Sequence, residues 1–244
     1  MSSQQTIEQL KSLRLTGRAE AFTHQIGSSA FQDIGFEQRV QMLIEAELAR
    51  RDTQRYERLI KSAKLRLQAA PEDIDYRTTR GLEKTKVADL LTNSWIHHHR
   101  NLLLTGATGT GKTWLACALA VNAARFGISV LYQRAAIALE TMLIAHETGD
   151  IEKVRNQFVR PQLLVLDDFG LVPLSTRNKT DLLELVERRG DASTIVAGQM
   201  PVSKWHDYIG DPAVADAILD RLVYSSLKIE LKGESLRKAR AKPS

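Results

Sequence analysis

The chain has 244 residues, 43% hydrophobic and 26% charged, which are proportions of a globular protein and exclude a disordered or fibrous one. The first residues, Met1-Ser2-Ser3-Gln4-Gln5, carry no basic and apolar leader, and the uncharged run over 114–124 is too short to cross a bilayer. The lone Cys117 excludes an internal disulfide, so a cytoplasmic protein with no membrane partner is expected.

The N-terminal part reads as helical. Ile7, Leu10 and Leu13 recur at helical spacing, Gly17 reads as a break, and a second helix over 19–26 runs to the turn Gly27-Ser28-Ser29. Phe36, Val40, Leu43, Ile44 and Leu48 form a further stripe, which Tyr56, Leu59, Ile60, Ala63 and Leu67 extend. Pro71 and the polar run over 72–80 end it. The expected division is a helical interaction or DNA-contact domain over 1–70, a linker over 71–80 and a second domain over 81–244. Charge is uneven: residues 50–66 hold seven basic side chains against Asp52 and Glu57. A solvated helix face explains that as well as a DNA-backbone contact does. Candidate DNA contacts in this segment are Arg50, Arg51, Arg55, Arg58 and Lys61.

From residue 81 strands and helices alternate, the pattern of a parallel sheet with crossover helices. Strands are expected over 102–105, 129–133, 162–166, 193–197 and 227–231, and helices over 112–125, 135–145, 149–158, 179–189 and 213–224. His97, His98 and His99 are consecutive and diverge in direction, so they read as solvated rather than as a metal site. Between the first strand and its helix lies Gly106-Ala107-Thr108-Gly109-Thr110-Gly111-Lys112-Thr113, a full G-x-x-x-x-G-K-[ST] phosphate loop. Its glycines let backbone N–H groups face phosphate oxygens at a helix N-terminus. Lys112 is the candidate for the β- and γ-phosphates and Thr113 for Mg2+. The run Leu163-Leu164-Val165-Leu166 ends in Asp167 and Asp168. That is the form of a buried strand delivering one carboxylate to Mg2+ and another to the attacking water.

The phosphate loop, LLVLDDFG over 163–170, VSKWHDYIGDPAVADAILDRL over 202–222, KGESLRK over 232–238, LKSLRLTGRAEA over 10–21 and Gly81-Leu82 together resemble the IstB-type AAA+ ATPases that accompany IstA-type transposases. These are related to the DnaC helicase loader. The resemblance implies an α/β fold: an AAA+ P-loop NTPase parallel sheet flanked by helices, preceded by a small all-α N-terminal domain. It implies that Gln199 senses the γ-phosphate, although many members carry asparagine there. It implies that Arg221 is a finger reaching a neighbouring subunit's nucleotide. It also implies that Lys153 and Arg155, on the short helix before the third strand, are DNA contacts, since initiator-type members carry an extra helix there that lines the DNA channel; an ordinary charged surface helix is the alternative. Arg237 stands where an in-subunit arginine sensor is expected, or belongs to the basic tail. Asp168 stands where AAA+ enzymes usually carry glutamate, which implies slow hydrolysis.

The activity implied is Mg2+-dependent hydrolysis of ATP, stimulated by DNA or a partner. The partners implied are duplex DNA held through its backbone with weak sequence preference, an IstA-type transposase, and further copies of the chain in an ATP-promoted ring or helix. The chain would remodel its target DNA and recruit and activate the transposase. Two alternatives remain open at this stage: a DnaC-type helicase loader, and a metabolic phosphate-loop kinase.

Overall fold

The computed structural model describes residues 2–76 and 81–235, in two compact units divided between Arg58 and Leu59. In the first, α1 (Ser3–Ser12) is capped by the Ser2 hydroxyl, and the chain turns at Arg14, whose φ is +60°. The break expected at Gly17 therefore lies three residues earlier. Gly17 sits in the first turn of α2 (Thr16–Gly27), where a Cβ would stand 2.7 Å from the Ala46 carbonyl oxygen of α3 (Phe36–Ala63). Its task is close helix packing, not helix ending.

That packing delivers a cap. Helix α2 receives no side-chain cap from Leu15, and Glu47 of α3 takes over the role. Its Oε2 accepts the N–H groups of Gly17 at 2.9 Å and Arg18 at 3.3 Å, while Oε1 accepts Arg51 Nε at 2.7 Å. A carboxylate at a helix N-terminus meets orphan donors and the positive end of the helix dipole. Burial opposes the charge, yet Arg51 and the two N–H groups hold the Glu47 carboxyl below the ordinary range.

The second unit starts inside α3. Ala63, Ala69 and Ile74 are buried in the same core as the sheet, so residues expected to end a helical domain and begin a linker pack onto the core of the sheet instead. Two helices follow that apolar periodicity did not single out, α4 (Lys84–Leu91) and α5 (Ser94–His97). Then come β1 (Leu102–Gly106), α6 (Lys112–Arg125), β2 (Val130–Arg134), α7 (Ala135–Thr148), α8 (Ile151–Val159), β3 (Leu163–Phe169), α9 (Thr176–Arg188), β4 (Ser193–Gly198), α10 (Trp205–Ile209), α11 (Pro212–Val223) and β5 (Leu227–Leu231). The five strands are parallel in the order β2-β3-β4-β1-β5.

Alternation along each strand sorts the sheet into two cores. Leu102, Leu104, Leu163, Val165, Ile195 and Ala197 face α6 and the residues that precede the sheet. Leu103, Leu164, Leu166 and Val196 face the layer of α7, α9, α10 and α11. Arg189, buried, ties that layer to the sheet by donating to the carbonyls of Phe158, Val159, Pro161 and Ser193 and to the Thr194 hydroxyl. Burial pulls its pKa down to about 9, which leaves it protonated at neutral pH.

The Glu47 cap has a pH signature. Its folded pKa lies below the ordinary 4.5, so its stabilisation is complete above 4.5 and is lost as pH falls through the lower folded value. Glu47→Gln is expected to lower the hydrogen-exchange protection factors of the Gly17 and Arg18 amides at neutral pH. The difference from the unsubstituted protein should close in acid.

Candidate nucleotide site

The phosphate loop joins the carboxyl end of β1 to α6. Helix α6 starts from Gly111 with no side-chain cap, so its first N–H groups and the positive end of its dipole face the loop. Gly109 has a φ of +85°, and a Cβ there would stand 2.7 Å from the Ser235 Cβ and collide with its hydroxyl. Only glycine fits both the left-handed backbone and the neighbouring KGES turn. Lys112, largely buried, folds its Nζ back onto the carbonyls of Gly106 at 2.7 Å and Ala107 at 2.8 Å.

The carboxylates come from an irregularity in the sheet. Leu166 pairs with Val196, but Phe169 pairs with Gly198, so β3 holds one residue more than β4 across Asp167 and Asp168. A bulge of this kind re-aims side chains beside functional sites. Asp168 takes a left-handed φ of +57°, uncommon for a non-glycine residue. Asp167 is 1% exposed; its Oδ2 accepts Thr113 Oγ1 at 2.7 Å and Tyr132 Oη at 2.6 Å. Burial and the Asp167 carboxylate push the Tyr132 phenol well up, so it stays protonated and donates. Arg66 Nη1 stands 3.3 Å from Asp168 Oδ2 and 4.0 Å from Asp167 Oδ2. Tyr132 and Arg66 were not singled out from sequence: no motif spacing marks them, and Arg66 sat unremarked within the basic segment.

The structure thus brings together the loop residues Gly106, Ala107, Thr108, Gly109, Thr110, Gly111, Lys112 and Thr113 with Asp167 and Asp168. Gln199 follows β4 at the same carboxyl edge of the sheet and is exposed. Arg221 does not join them. Its carbonyl accepts Asn101 Nδ2 at 2.9 Å, at the amino end of β1, and its guanidinium pairs with Glu187 at 2.9 Å. The length of β1, about 3.3 Å per residue, separates it from its own loop. Arg237 lies outside the described residues.

One DNA-contact candidate is corrected. Arg155 is 4% exposed and pairs with Asp181, Glu152 and Glu184; exposing it would leave the buried Asp181 without this counter-charge. Arg50 pairs with Glu20 and Arg51 with Glu47, while Arg55, Arg58, Lys61 and Lys153 are exposed. His97, His98 and His99 belong to no metal-binding group among the described residues. No helix among those residues is long and apolar enough to cross a membrane. The donor set suits the groups the motif implies: adjacent Thr113 and Asp167 oxygens are hard ligands of the kind Mg2+ takes, and the loop's N–H groups suit a polyphosphate.

A parallel 2-3-4-1-5 sheet, with its phosphate loop after β1 and an acidic strand end at β3, is the fold of the AAA+ P-loop proteins. Solved structures with this fold include AMPPCP-bound DnaA from Aquifex aeolicus (TM-score 0.59, 21% identity, 71% of this chain and 53% of that one). The DnaC helicase loader is another (TM-score 0.51, 19% identity, 64% of this chain and 95% of that one). Residues 8–244 match the family described as IstB-like ATP binding protein, and the chain belongs to that family. It is 41% identical, over all of both chains, to an insertion sequence ATP-binding protein of Sinorhizobium fredii. It is 43% identical to the ATP-binding protein of insertion sequence IS1162 of Pseudomonas fluorescens, over 83% of this chain and 89% of that one.

The loop geometry makes a sharp forecast. Gly109→Ala is expected to weaken binding of a fluorescent ATP analogue about tenfold or more, from left-handed strain plus the Ser235 collision. Gly149→Ala is the control: its φ is +76°, but open space surrounds it, and nucleotide affinity should stay unchanged.

Proposed function

We propose that the chain is a Mg2+-dependent ATPase that assembles on duplex DNA and hands the target to a transposase. The observation that carries this reading is the placement of Arg221. It stands at the amino end of β1, with the phosphate loop at the other end, so a guanidinium acting on nucleotide would act on that of a neighbouring copy. A head-to-tail contact of this type closes into a ring or continues as a helix, and nucleotide then holds the array together.

Within one site, Lys112 would leave the Gly106 and Ala107 carbonyls for the β- and γ-phosphates. Thr113 and Asp167 would hold Mg2+, which would offset charge on the phosphate oxygens. Asp168 would orient water for attack on the γ-phosphorus and take its proton, releasing ADP and phosphate. Gln199 would read the γ-phosphate, and Arg237 is kept as a second candidate contact. Asp168 is a methylene shorter than glutamate, which supports slow hydrolysis that DNA or a partner would accelerate. Membership of an insertion-sequence family supports transposition over helicase loading and over a small-molecule kinase. DNA would be gripped through its phosphates by Arg50, Arg51, Arg55, Arg58, Lys61 and Lys153, giving strong salt dependence. The helical N-terminal unit serves as the contact domain, and the site of action is the cytoplasm.

Lys112→Ala should abolish binding of ATP and, with it, filament or ring formation on duplex DNA seen by electron microscopy; assembly that persists would exclude nucleotide as the glue. Arg221→Ala should bind ATP but lose hydrolysis on the order of a hundredfold or more, as loss of an arginine finger does. Mixing it with Asp168→Asn protein should restore part of the phosphate release. An absence of rescue at every ratio would show that Arg221 does not act between subunits.

A further inference from the structure

Two adjacent carboxylates at a strand end repel one another, and Asp167 is almost wholly buried. Its two hydrogen-bond donors, Thr113 and Tyr132, are neutral, and Lys112 is turned toward the Gly106 and Ala107 carbonyls. Arg66 brings a positive charge to the pair, 3.3 Å from Asp168 and 4.0 Å from Asp167, with its guanidinium also against the Tyr132 hydroxyl. Arg66 belongs neither to the phosphate loop nor to any strand of the sheet. It lies beyond the end of α3, between the buried Ala63 and Ala69, and its backbone lies against the Cys117 thiol of α6. Lys64, two residues before it, and Asp168, its partner, both hold left-handed backbones, φ +52° and +57°. Such strain persists where surrounding structure over-determines it, and it gathers at switch and ligand sites.

We propose that Arg66 is a built-in counter-ion for Asp167 and Asp168 that Mg2+ has to displace. A dication seated between Thr113 and Asp167 would stand beside a guanidinium, and like charges at that separation cannot share one carboxylate pair at low cost. The anchored backbone makes the release a side-chain swing: the Arg66 side chain is 41% exposed and has water to move into. The consequence is selectivity. Free Mg2+ meets a carboxylate pair already half neutralised, whereas Mg2+ arriving with a triphosphate brings the negative charge that offsets the displacement. The inference rests on the nucleotide-site reading of Thr113 and Asp167.

The test uses the full chain and Mn2+ as a paramagnetic stand-in for Mg2+, with binding followed by electron paramagnetic resonance in the absence of nucleotide. Arg66→Gln is expected to tighten Mn2+ binding about threefold or more, the scale of a partly exposed ion pair. Arg66→Lys, which keeps the charge, should stay near the unsubstituted protein. A fluorescent ATP analogue titrated with Mg2+ should reach half-saturation at lower Mg2+ in Arg66→Gln, while its Mg2+-free affinity stays the same. Unchanged or weaker Mn2+ binding in a variant with an unaltered melting temperature overturns the proposal. So does a loss of Mg2+-free analogue affinity, which would make Arg66 a phosphate contact. Should Arg66→Gln not fold, Arg66→Met repeats the test with the apolar stem retained. Failure of the unsubstituted chain to bind the analogue at all would overturn the nucleotide-site reading itself, a result separable from an unmoved Mn2+ affinity.

Discussion

A carboxylate with 1% of its surface exposed is unstable in a protein interior unless hydrogen bonds and charge compensate it, and Asp167 is such a group. Its Oδ2 gathers Thr113 from the start of α6, Tyr132 from β2 and, at longer range, Arg66 from the chain beyond α3. Three separate stretches of sequence therefore converge on one oxygen. The bulge in β3, the left-handed backbone of Asp168 and the burial of Ala63, Ala69 and Ile74 in the core that holds α6 all serve that convergence. A site of this design is rigid through mutual dependence, because moving any donor leaves a buried charge short of a partner.

The sheet itself was legible because its physics is local. Four-residue apolar runs such as Leu163–Leu166, punctuated by glycine or acid, can hardly be anything but buried parallel strands. The phosphate loop was legible because few other tasks explain Gly111, Lys112 and Thr113 in that order. Boundaries drifted where caps carry the signal: Ser175 and Asn178 form a reciprocal capping box, which starts α9 at Thr176 rather than at 179.

What stayed hidden depends on contacts between distant residues. Gly17 reads as a breaker from sequence, since its reason for being there is the backbone of α3 some thirty positions on. Arg155 reads as a free surface cation, since Asp181, which neutralises it, lies on another helix. Arg66 was one basic residue among several; nothing in its spacing says that it meets the two carboxylates. The expected linker over 71–80 began at Pro71, but burial of Ala69 and Ile74 is decided by α6 and cannot be seen from the linker's own composition.

The strand order also bears on how the chain reaches this state during synthesis. β1 lies between β4 and β5, both of which come much later in the sequence. As the chain leaves the ribosome, β2 and β3 can pair at once, whereas the strand carrying the phosphate loop keeps both edges open until the final fifth of the protein has emerged. Long-range parallel pairing of this sort is slow, and unpaired edges invite association. A chain halted before β5 therefore leaves the strand that carries the phosphate loop with one of its two neighbours missing.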